Sequence, residues 1–237
     1  MQPQPIPNEA SSASGQDASP VRAVQRAFEL LDHLLSEPAP PTLSEVARLS
    51  GLPTSTVARL LATLEGSGFV QREGSRYALG PKLIQFGLSA LGRLDIYELA
   101  EPSLRRLAET TGETANLATH TRDGRATYLR QVLSPRSIHF SSWLGRTLPL
   151  DKTAIGRALT GSVDASGCAV NRNGFEPDVT AIAAPIRGVR GEILAALSIT
   201  GPSYRISNAD VIRFGALIAQ EARLVSELTG SGIRPLQ

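Results

Sequence analysis

Three hydroxyl side chains stand side by side in this sequence, and an arginine follows about one helical turn later. Thr54, Ser55, Thr56 and Arg59 occur in the stretch GLPTSTVARLLATLEGSGF. Hydroxyl groups and a guanidinium can donate hydrogen bonds to phosphate oxygens and to base edges, and a guanidinium can bind guanine through two hydrogen bonds at once. These residue types in this order favour contact with a nucleic acid.

The surrounding residues predict the elements that would hold this group in place. Thr42 and Glu45 have the capping-box spacing of a short helix that ends at Gly51, and Pro53 opens the next helix. Because successive side chains of a helix are about 100° apart around its axis, Arg59 and small side chains of that next helix face outward. Its inward apolar residues are Val57, Leu60, Leu61 and Leu64. An amphipathic helix comes earlier, with apolar residues at spacings of three and four: Val21, Val24, Phe28, Leu31 and Leu35.

A predicted hairpin follows, with one arginine on either side of its tip. Its strands, FVQR and RYALG, are joined around residues 73–75, so Arg72 and Arg76 lie on either side of the tip. In a winged fold this tip contacts the DNA backbone or the minor groove. A single helix start rich in Ser and Thr is usually only a capped, solvated face. The order helix, helix, turn, helix, hairpin favours instead a winged helix-turn-helix that binds DNA.

The composition limits the other functions. The 237 residues are 41% hydrophobic with a formal net charge of +2, so a sizeable core is possible and any nucleic-acid surface must be local. Cys168 is the only cysteine, which excludes an intrachain disulfide and a cysteine zinc cluster. No histidine has a metal-ligand partner at helical spacing, and no nucleotide-binding glycine loop occurs. We expect no metal and no cofactor.

The composition of the chain ends and the length of the apolar runs indicate where the protein is located in the cell. Residues 1–20 are rich in Pro, Ser, Gln and Ala, which predicts a disordered tail, and residues 231–237 form a second tail. No apolar run is long enough to cross a bilayer, and the first residues lack the pattern of a signal peptide. We expect a soluble cytoplasmic protein without membrane contact.

Two segments follow the winged domain, which we place at residues 21–80. Residues 81–95 predict a linker helix that exposes more apolar surface than a lone helix tolerates, so we expect it to pack on a partner chain as a homodimer. The apolar residues are Leu83, Ile84, Leu88 and Leu91. Residues 96–230 contain short strands, tight turns and flanking helices, which predicts a second domain. The fold class is α+β and not a doubly wound parallel sheet.

The sequence resembles the isocitrate lyase regulator (IclR) family of bacterial transcription factors. The similarity begins at VRAVQRAFELLDHL, includes GLPTSTVARLLATLEGSGFVQR and RYALGPKLIQFG, and continues through GETANLAT, GRTLPLDKTAIGRAL, GCAVNRNGFEPDVTAIAAPI and GEILAALSITGP. It implies a winged helix-turn-helix, a dimerising linker helix and a GAF-like effector-binding domain. It also implies a homodimer or tetramer that binds a palindromic operator in double-stranded DNA. Such regulators repress or activate catabolic genes in response to a small organic acid or aromatic metabolite.

The resemblance also implies which residues contact the effector. The family's pocket positions fall on Ala154, Ile155, Asn171, Ala181, Ser198 and Thr200. Ser198 and Thr200 are two apart on a predicted strand, so both hydroxyls face one side and can bind one carboxylate or phenol. Taken without the family, they are more simply interpreted as small residues with local hydrogen bonds. Exposed backbone amides around residues 154–156 would favour an anion.

The chain departs from the family pattern in three places. Asn171 stands where relatives have an acid and Ala181 where they have a cysteine, so we expect a ligand other than a small keto acid. Only GSVDAS separates GRALT from GCAV, where relatives have a longer helical segment. The effector-binding domain is therefore shortened. Either its pocket is more open, or the domain has degenerated and no longer senses a ligand.

Two further interpretations concern single residues. His120, Asp151 and either Ser141 or Ser198 are the residue types of a hydrolase triad. No nucleophile-elbow motif surrounds either serine, so we expect no catalytic residue. Trp143, the only tryptophan, either packs in the core or forms a wall of a site for an aromatic ligand.

Overall fold

The computed structural model of the protein describes residues 21–91, 95–137 and 143–230. The chain divides into two units, with the boundary between Ser89 and Ala90. The predicted tails, residues 1–20 and 231–237, lie outside the described residues. Among the described helices, none combines the length and the apolar character that crossing a membrane requires.

The first unit contains the elements of a winged helix-turn-helix in the predicted order. They are α1 (Arg22–Ser36), α2 (Leu43–Ser50), α3 (Thr54–Gly66), β1 (Val70–Glu73), β2 (Arg76–Leu79) and α4 (Pro81–Leu91). The predicted capping box opens α2: the Thr42 hydroxyl accepts from the Glu45 amide at 3.4 Å, and the Glu45 carboxylate accepts from the Thr42 amide at 2.7 Å. Gly51 ends α2 with φ at +65°, a conformation that glycine adopts at little cost.

One apolar core holds α1, α2, α3 and the hairpin together. Val57 and Leu61 of α3 are fully buried, and Leu60 and Leu64 pack at the edge, as predicted. The other buried members are Leu30, Leu31, Leu34, Val46, Val70 and Tyr77. Because this core takes one side of α3, it determines which side of that helix stays outward.

The predicted apolar face of α1 is only partly buried. Leu31 enters the core with Leu30 and Leu34, whereas Val24 and Phe28 are 52% and 62% exposed. Apolar residues at spacings of three and four form two adjacent stripes on α1, and periodicity alone does not identify the stripe that meets the other helices. The sequence marked one apolar face on α1, and of its residues the core of the first unit buries Leu31.

Helix α4 presents apolar side chains on its surface. Ile84 and Leu88, one turn apart, are 65% and 66% exposed. Leu83 packs at the edge of the core of the first unit. The side chain of Leu91 lies outside the described residues. The exposed pair is the surface from which the sequence predicted a dimer contact.

The second unit is built on a six-stranded antiparallel sheet. Its strands lie in the order β5-β4-β3-β8-β7-β6. They are β3 (Thr114–His120), β4 (Arg125–Val132), β5 (Thr147–Pro149), β6 (Ala169–Arg172), β7 (Val179–Arg187) and β8 (Ile193–Pro202). The helices are α5 (Asp95–Leu99), α6 (Glu101–Thr111), α7 (Ala154–Leu159) and α8 (Asn208–Gly230). Every neighbouring pair of strands is antiparallel, which confirms the predicted α+β class.

The two faces of this sheet have different neighbours. Leu117 and Leu197 lie on the face that packs against α5, α6 and α8, where they belong to the larger core. Ala118 and Ala196 lie on the opposite face, in a smaller core that includes α7. Since side chains alternate along a strand, every second residue of β3 and β8 faces α7.

Some elements differ from their predictions. Strands β5 and β6 have three and four residues and were not predicted, because such short runs show no clear alternation. The sequence SIHFSSWL also has the pattern of a strand, and it falls mainly on residues 138–142, which lie outside the described residues. Residues 160–168 join α7 to β6 without regular structure, at the junction that the sequence indicates is shortened.

We predict that Gly156 of α7 tolerates no side chain. A Cβ atom there would lie 2.2 Å from the backbone oxygen of Leu150, so the helix would have to move away. Gly156→Ala should lower the free energy of unfolding by about 1–3 kcal/mol, measured by chemical denaturation of the full chain. The control is Gly215→Ala in α8, where a Cβ would meet only the Cys168 Sγ atom at 3.8 Å, an ordinary contact; it should raise stability by about 0.5–1 kcal/mol. An unchanged stability for Gly156→Ala would contradict the close approach.

Candidate functional site

The outward face of α3 combines hydroxyls with an unpaired cation. Thr54, Ser55 and Arg59 are exposed, and Thr56 is half-buried. The N-cap residue is Pro53, and no side chain caps the helix, so capping does not use these hydroxyls. Within the described part of the chain, the Arg59 guanidinium has no hydrogen-bond or ion-pair partner. Short donors and one long donor are therefore available to an outside acceptor.

The two arginines predicted near the wing tip are anchored to nearby backbone. Arg72 Nε donates to the Gly74 oxygen at 2.8 Å, and Arg76 Nη1 donates to the Pro40 oxygen at 2.7 Å. Arg76 also lies 3.9 Å from the Glu45 carboxylate. Both arginines are exposed, and each guanidinium has five N–H donors. Anchoring therefore orients these side chains and leaves donors for an outside phosphate.

Two arginines of α1 lie beside the outward face of α3. Arg22 and Arg26 line a groove between these helices together with Thr56, Arg59 and Thr63. Basic side chains grouped in this way favour a polyanion. Arg22 and Arg26 were not predicted, although their spacing of four residues at a helix start is visible in the sequence, because basic residues on an exposed helix are common.

The second unit contains a cavity between the sheet and α7. It is a small cavity of about 60 Å³ that opens to solvent. The six residues that the resemblance assigned to the effector pocket all line it: Ala154, Ile155, Asn171, Ala181, Ser198 and Thr200. The fold thus brings the predicted residues together, and their contact with a ligand stays a prediction.

Amides and hydroxyls form a hydrogen-bonded floor on the sheet side of the cavity. Asn116 of β3 is 1% exposed, and its Nδ2 donates to Ser198 Oγ at 3.4 Å and to Thr200 Oγ1 at 3.3 Å. Its Oδ1 accepts from Gln131 Nε2 at 2.7 Å, and Gln131 Oε1 accepts from the Trp143 amide at 3.3 Å. Because both hydroxyl oxygens accept from Asn116, their own hydrogens can donate into the cavity.

Three aromatic side chains form walls of the cavity. Trp143 lies between Tyr128 and Phe175, with ring centroids 6.5 and 6.4 Å apart and interplanar angles of 89° and 70°. Trp143 also packs against the smaller core, so it has both of the roles that the sequence left open. The guanidinium of Arg146 lies over its ring, 5.5 Å from the centroid.

The loop between β6 and β7, residues 173–178, is held at both ends. Asn173 and Asp178 have φ values of 57° and 59°, a left-handed conformation that costs energy in residues other than glycine. The Asn173 side chain accepts from the Ser203 hydroxyl at 2.6 Å, and the Asp178 oxygen accepts from the Ser203 amide at 2.7 Å. Asn171 Oδ1 accepts from the Gly174 amide at 2.9 Å. This bracing positions the next two side chains of the loop at the cavity.

Those two side chains are Phe175 and Glu176, and the second gives the cavity a carboxylate. Burial raises the pKa of Glu176, and the positive charge of Arg146 lowers it to a lesser degree. Burial also raises the pKa of the Tyr128 hydroxyl, and the Glu176 charge adds to this increase. Tyr128 therefore stays protonated and can donate a hydrogen bond. In the described part of the chain, no group of three or more His, Cys, Asp or Glu residues could hold a metal ion.

The start of α7 lines the cavity. Ala154 and Ile155 are 1% and 2% exposed and belong to the cavity lining. The Gly156 amide donates to the Thr153 hydroxyl at 3.1 Å, so the cap of the helix uses it. An anion site at the amides of Ala154 and Ile155 stays a prediction.

Several cavity residues were not predicted. Asn116, Tyr128 and Gln131 lie on β3 and β4, and only the pairing of these strands with each other and with β8 brings them to the cavity. Phe175 and Glu176 follow Asn171 in the sequence, and GFEP within a turn was the available signal. A loop of this kind has no periodicity that indicates which side chains turn inward.

The amide network of the floor should be a large contributor to stability. Asn116→Ala removes the acceptor of Gln131 and the donor to two hydroxyls in a buried place, which should cost about 1–3 kcal/mol. Ser198→Ala removes one long hydrogen bond and leaves the other contacts of Asn116, so its cost should be under about 1 kcal/mol. Chemical denaturation of both variants tests this order. Equal costs would show that Asn116 is not the centre of the network.

Comparisons with known proteins agree with this architecture. Residues 23–74 match the sequence model of the IclR helix-turn-helix domain, and residues 88–165 and 161–227 match that of the C-terminal domain of the bacterial transcriptional regulator IclR. The second match is split in two at the junction after α7. The two segments meet where the sequence indicates that family residues are absent.

Similar proteins have been described in other bacteria. The chain is 28% identical to the HTH-type transcriptional regulator BhcR of Paracoccus denitrificans, and the match covers 92% of this chain and 90% of that protein. It is 27% identical to the transcriptional repressor IclR of Escherichia coli, and the match covers 90% of this chain and 92% of that protein. Both proteins are regulators of transcription, and neither comparison supports a serine hydrolase.

Solved structures have the same fold. An IclR transcriptional regulator from Alicyclobacillus acidocaldarius superposes with a TM-score of 0.77 at 27% identity, covering 90% of this chain and all of that one. An IclR homologue from Microbacterium hydrocarbonoxydans, solved with 4-hydroxybenzoate, superposes with a TM-score of 0.73 at 18% identity, covering 87% and 98%. The matched domains extend over most of the chain in their family order, and this protein therefore belongs to the IclR family of DNA-binding transcriptional regulators.

Proposed function

We propose that the outward face of α3 enters the major groove of an operator and that the cavity of the second unit binds the effector. The observation that carries the DNA contact is the unpaired guanidinium of Arg59 beside the hydroxyls of Thr54, Ser55 and Thr56. A major groove about 12 Å wide accepts a helix whose outer side chains are short. On this proposal, Arg59 contacts a base edge or a phosphate and the hydroxyls contact the backbone or base edges.

The wing has a separate role in this proposal. Arg72 and Arg76 contact the DNA backbone or the minor groove beside the helix, and their anchoring on Gly74 and Pro40 limits the freedom that they lose on binding. Arg22 and Arg26 of α1 add phosphate contacts on the other side of α3. Such contacts strengthen binding without selecting a sequence.

The regulator acts as a homodimer, or as a tetramer of two dimers, on a palindromic operator. Exposed apolar residues of α4 support this assembly, since Ile84 and Leu88 form a stripe that a second copy can bury. Two copies related by a two-fold axis bind half-sites about one helical turn apart or a multiple of it. The genes under control are catabolic or metabolic, either repressed or activated, and the protein acts in the cytoplasm where the DNA is.

The effector in this proposal is a small organic or aromatic metabolite. The cavity has aromatic walls and a polar floor, the usual composition of a small-molecule site. The homologue from Microbacterium hydrocarbonoxydans was solved with 4-hydroxybenzoate, an aromatic compound. A second candidate function, a DNA-binding regulator that no longer senses a ligand, is favoured by the shortened junction at residues 160–168.

Arg59→Ala tests the placement of α3. The substitution should weaken operator binding by about 1–3 kcal/mol and relax the choice of base at one position of each half-site. A duplex selected from a randomised library by the full chain supplies the operator, and fluorescence anisotropy gives the dissociation constant. Arg76→Ala should weaken binding without changing the preferred sequence.

Arg190→Ala is the matched control for this experiment. Arg190 belongs to the second unit, is exposed and makes only local contacts. Its loss removes the same charge, so operator affinity should stay unchanged. If Arg59→Ala binds the operator as tightly as Arg190→Ala does, α3 does not lie in the groove.

Leu88→Glu tests the dimer contact of α4. A buried charge at the centre of an apolar interface should weaken self-association by about tenfold or more, measured by analytical ultracentrifugation. Ser89→Glu adds the same charge at the neighbouring exposed position and should leave the mass of the assembly in solution unchanged. If the two variants self-associate equally strongly, α4 does not lie in the dimer interface.

A further inference from the structure

The described lining of the cavity in the second unit contains a negative charge and no positive charge. Among the described residues that line it there is no Lys, Arg or His, and Glu176 is the sole carboxylate. Glu176 is half-buried, and neither a hydrogen-bond partner nor an ion-pair partner exists for it in the described part of the chain. Burial raises its pKa, and Arg146 opposes this more weakly. A partly desolvated carboxylate without a partner is stabilised when a cation comes close.

The aromatic walls add a second attraction for positive charge. Tyr128, Trp143 and Phe175 line the same space, and the neighbouring ring planes stand at 89° and 70° to each other. Several rings that line one space at steep angles to each other are the arrangement of the aromatic cages that hold ammonium groups. Trp143 already has the guanidinium of Arg146 over its ring at 5.5 Å from the centroid. This contact illustrates the affinity of the ring for a cation.

Hydrogen bonds hold the loop that supplies two of these groups. Phe175 and Glu176 lie between Asn173 and Asp178, which have left-handed φ values of 57° and 59°. Asn and Asp adopt this conformation more readily than other residues except glycine. Here the contacts from Ser203 and Asn171 hold the loop. The position of a ring and a carboxylate side by side is therefore a fixed feature of the cavity.

We propose that the cavity binds a small organic cation, an amine or quaternary ammonium compound, with its positive group between the three rings and the Glu176 carboxylate. An oxygen acceptor on the same molecule receives hydrogen bonds from the Ser198 and Thr200 hydroxyls on the floor. This inference rests on the proposed effector role of the second unit and names the chemical class of the effector.

A carboxylic acid, which the family resemblance implied, fits this cavity less well. Its charge would lie near Glu176, and no described lining residue is a cation. Arg146, whose charge acts on Glu176, lies over the Trp143 ring and is not among the residues that line the cavity. The amide of Gly156 at the start of α7 is taken by the Thr153 hydroxyl. The polarity of the site, with donors on the floor and an acceptor at the wall, matches a ligand with an acceptor at one end and a cation at the other.

Choline and 3,3-dimethylbutan-1-ol provide a matched pair of probes. The two molecules have nearly the same shape and the same hydroxyl, and only choline has a positive charge. Trp143 is the only tryptophan of the chain and lines the cavity, so its fluorescence reports binding in the full-length protein. Benzylamine and benzoate provide a second pair, in which an aromatic cation is compared with an aromatic anion. Thermal shift measures the same binding independently.

We expect choline or benzylamine to bind at least about tenfold more tightly than its partner probe, since cation–π attraction and the Glu176 charge act only on the cation. Glu176→Gln keeps the size of the side chain and should remove most of this preference. Phe175→Leu removes one π-face and should weaken the cation but not the neutral alcohol. Glu109→Gln, on an exposed position of α6, is the control and should bind like the parent chain.

Different outcomes separate this inference from the effector role on which it rests. Tighter binding of benzoate, or a cation preference that survives in Glu176→Gln, would overturn the cation site and leave an effector role standing. If no probe of either charge changes the Trp143 fluorescence or the thermal stability, the cation site is overturned. The effector role fails separately if a mixture of cellular metabolites leaves operator affinity unchanged.

Discussion

The antiparallel pairing of β3 with β8, at the centre of the six-stranded sheet, determines where the polar side chains of the second unit lie. The register places Asn116 opposite Ser198 and Leu117 opposite Leu197. The two leucines must enter the large core beneath α6 and α8, so the neighbouring Asn116 and Ser198 must face α7. A slip of one residue would exchange the faces and bury hydroxyls among leucines. Packing of the apolar face therefore builds the polar floor of the cavity on the other face.

The same relation between core and function holds in the first unit. Val57 and Leu61 anchor α3 in the core, and this anchoring turns Ser55 and Arg59 outward. In both units the functional residues lie on regular elements whose orientation is set by apolar packing elsewhere on the element. The exception is the loop 173–178, which bracing hydrogen bonds and two left-handed residues hold in place.

Local signals predicted the first unit well, and long-range pairing limited the prediction of the second. The capping box at Thr42, the left-handed Gly51 and the inward face of α3 all depend on residues close in sequence, and the structure confirms them. Asn116 could not be assigned to the cavity, because its place depends on strands that are distant in the chain. The family resemblance identified pocket positions such as Ser198 and Thr200, whereas the GFEP turn did not indicate that the Glu176 side chain turns into the cavity. Helix α1 shows a further limit of prediction from sequence. The periodicity of its apolar residues indicates an apolar face but does not indicate which element packs against that face.

The central claim is that the occupant of the cavity in the second unit controls DNA binding by the first. The direct test is operator affinity of the full chain, measured by anisotropy with the cavity empty and then saturated with the compound that Trp143 fluorescence shows to bind most tightly. The account predicts a change in the dissociation constant of about fivefold or more, the usual lower range of coupling between two sites. It also predicts that Glu176→Gln loses this change while keeping its affinity for the operator. An operator affinity that stays the same with the cavity filled would contradict the claim and would leave a DNA-binding regulator that senses nothing through this site.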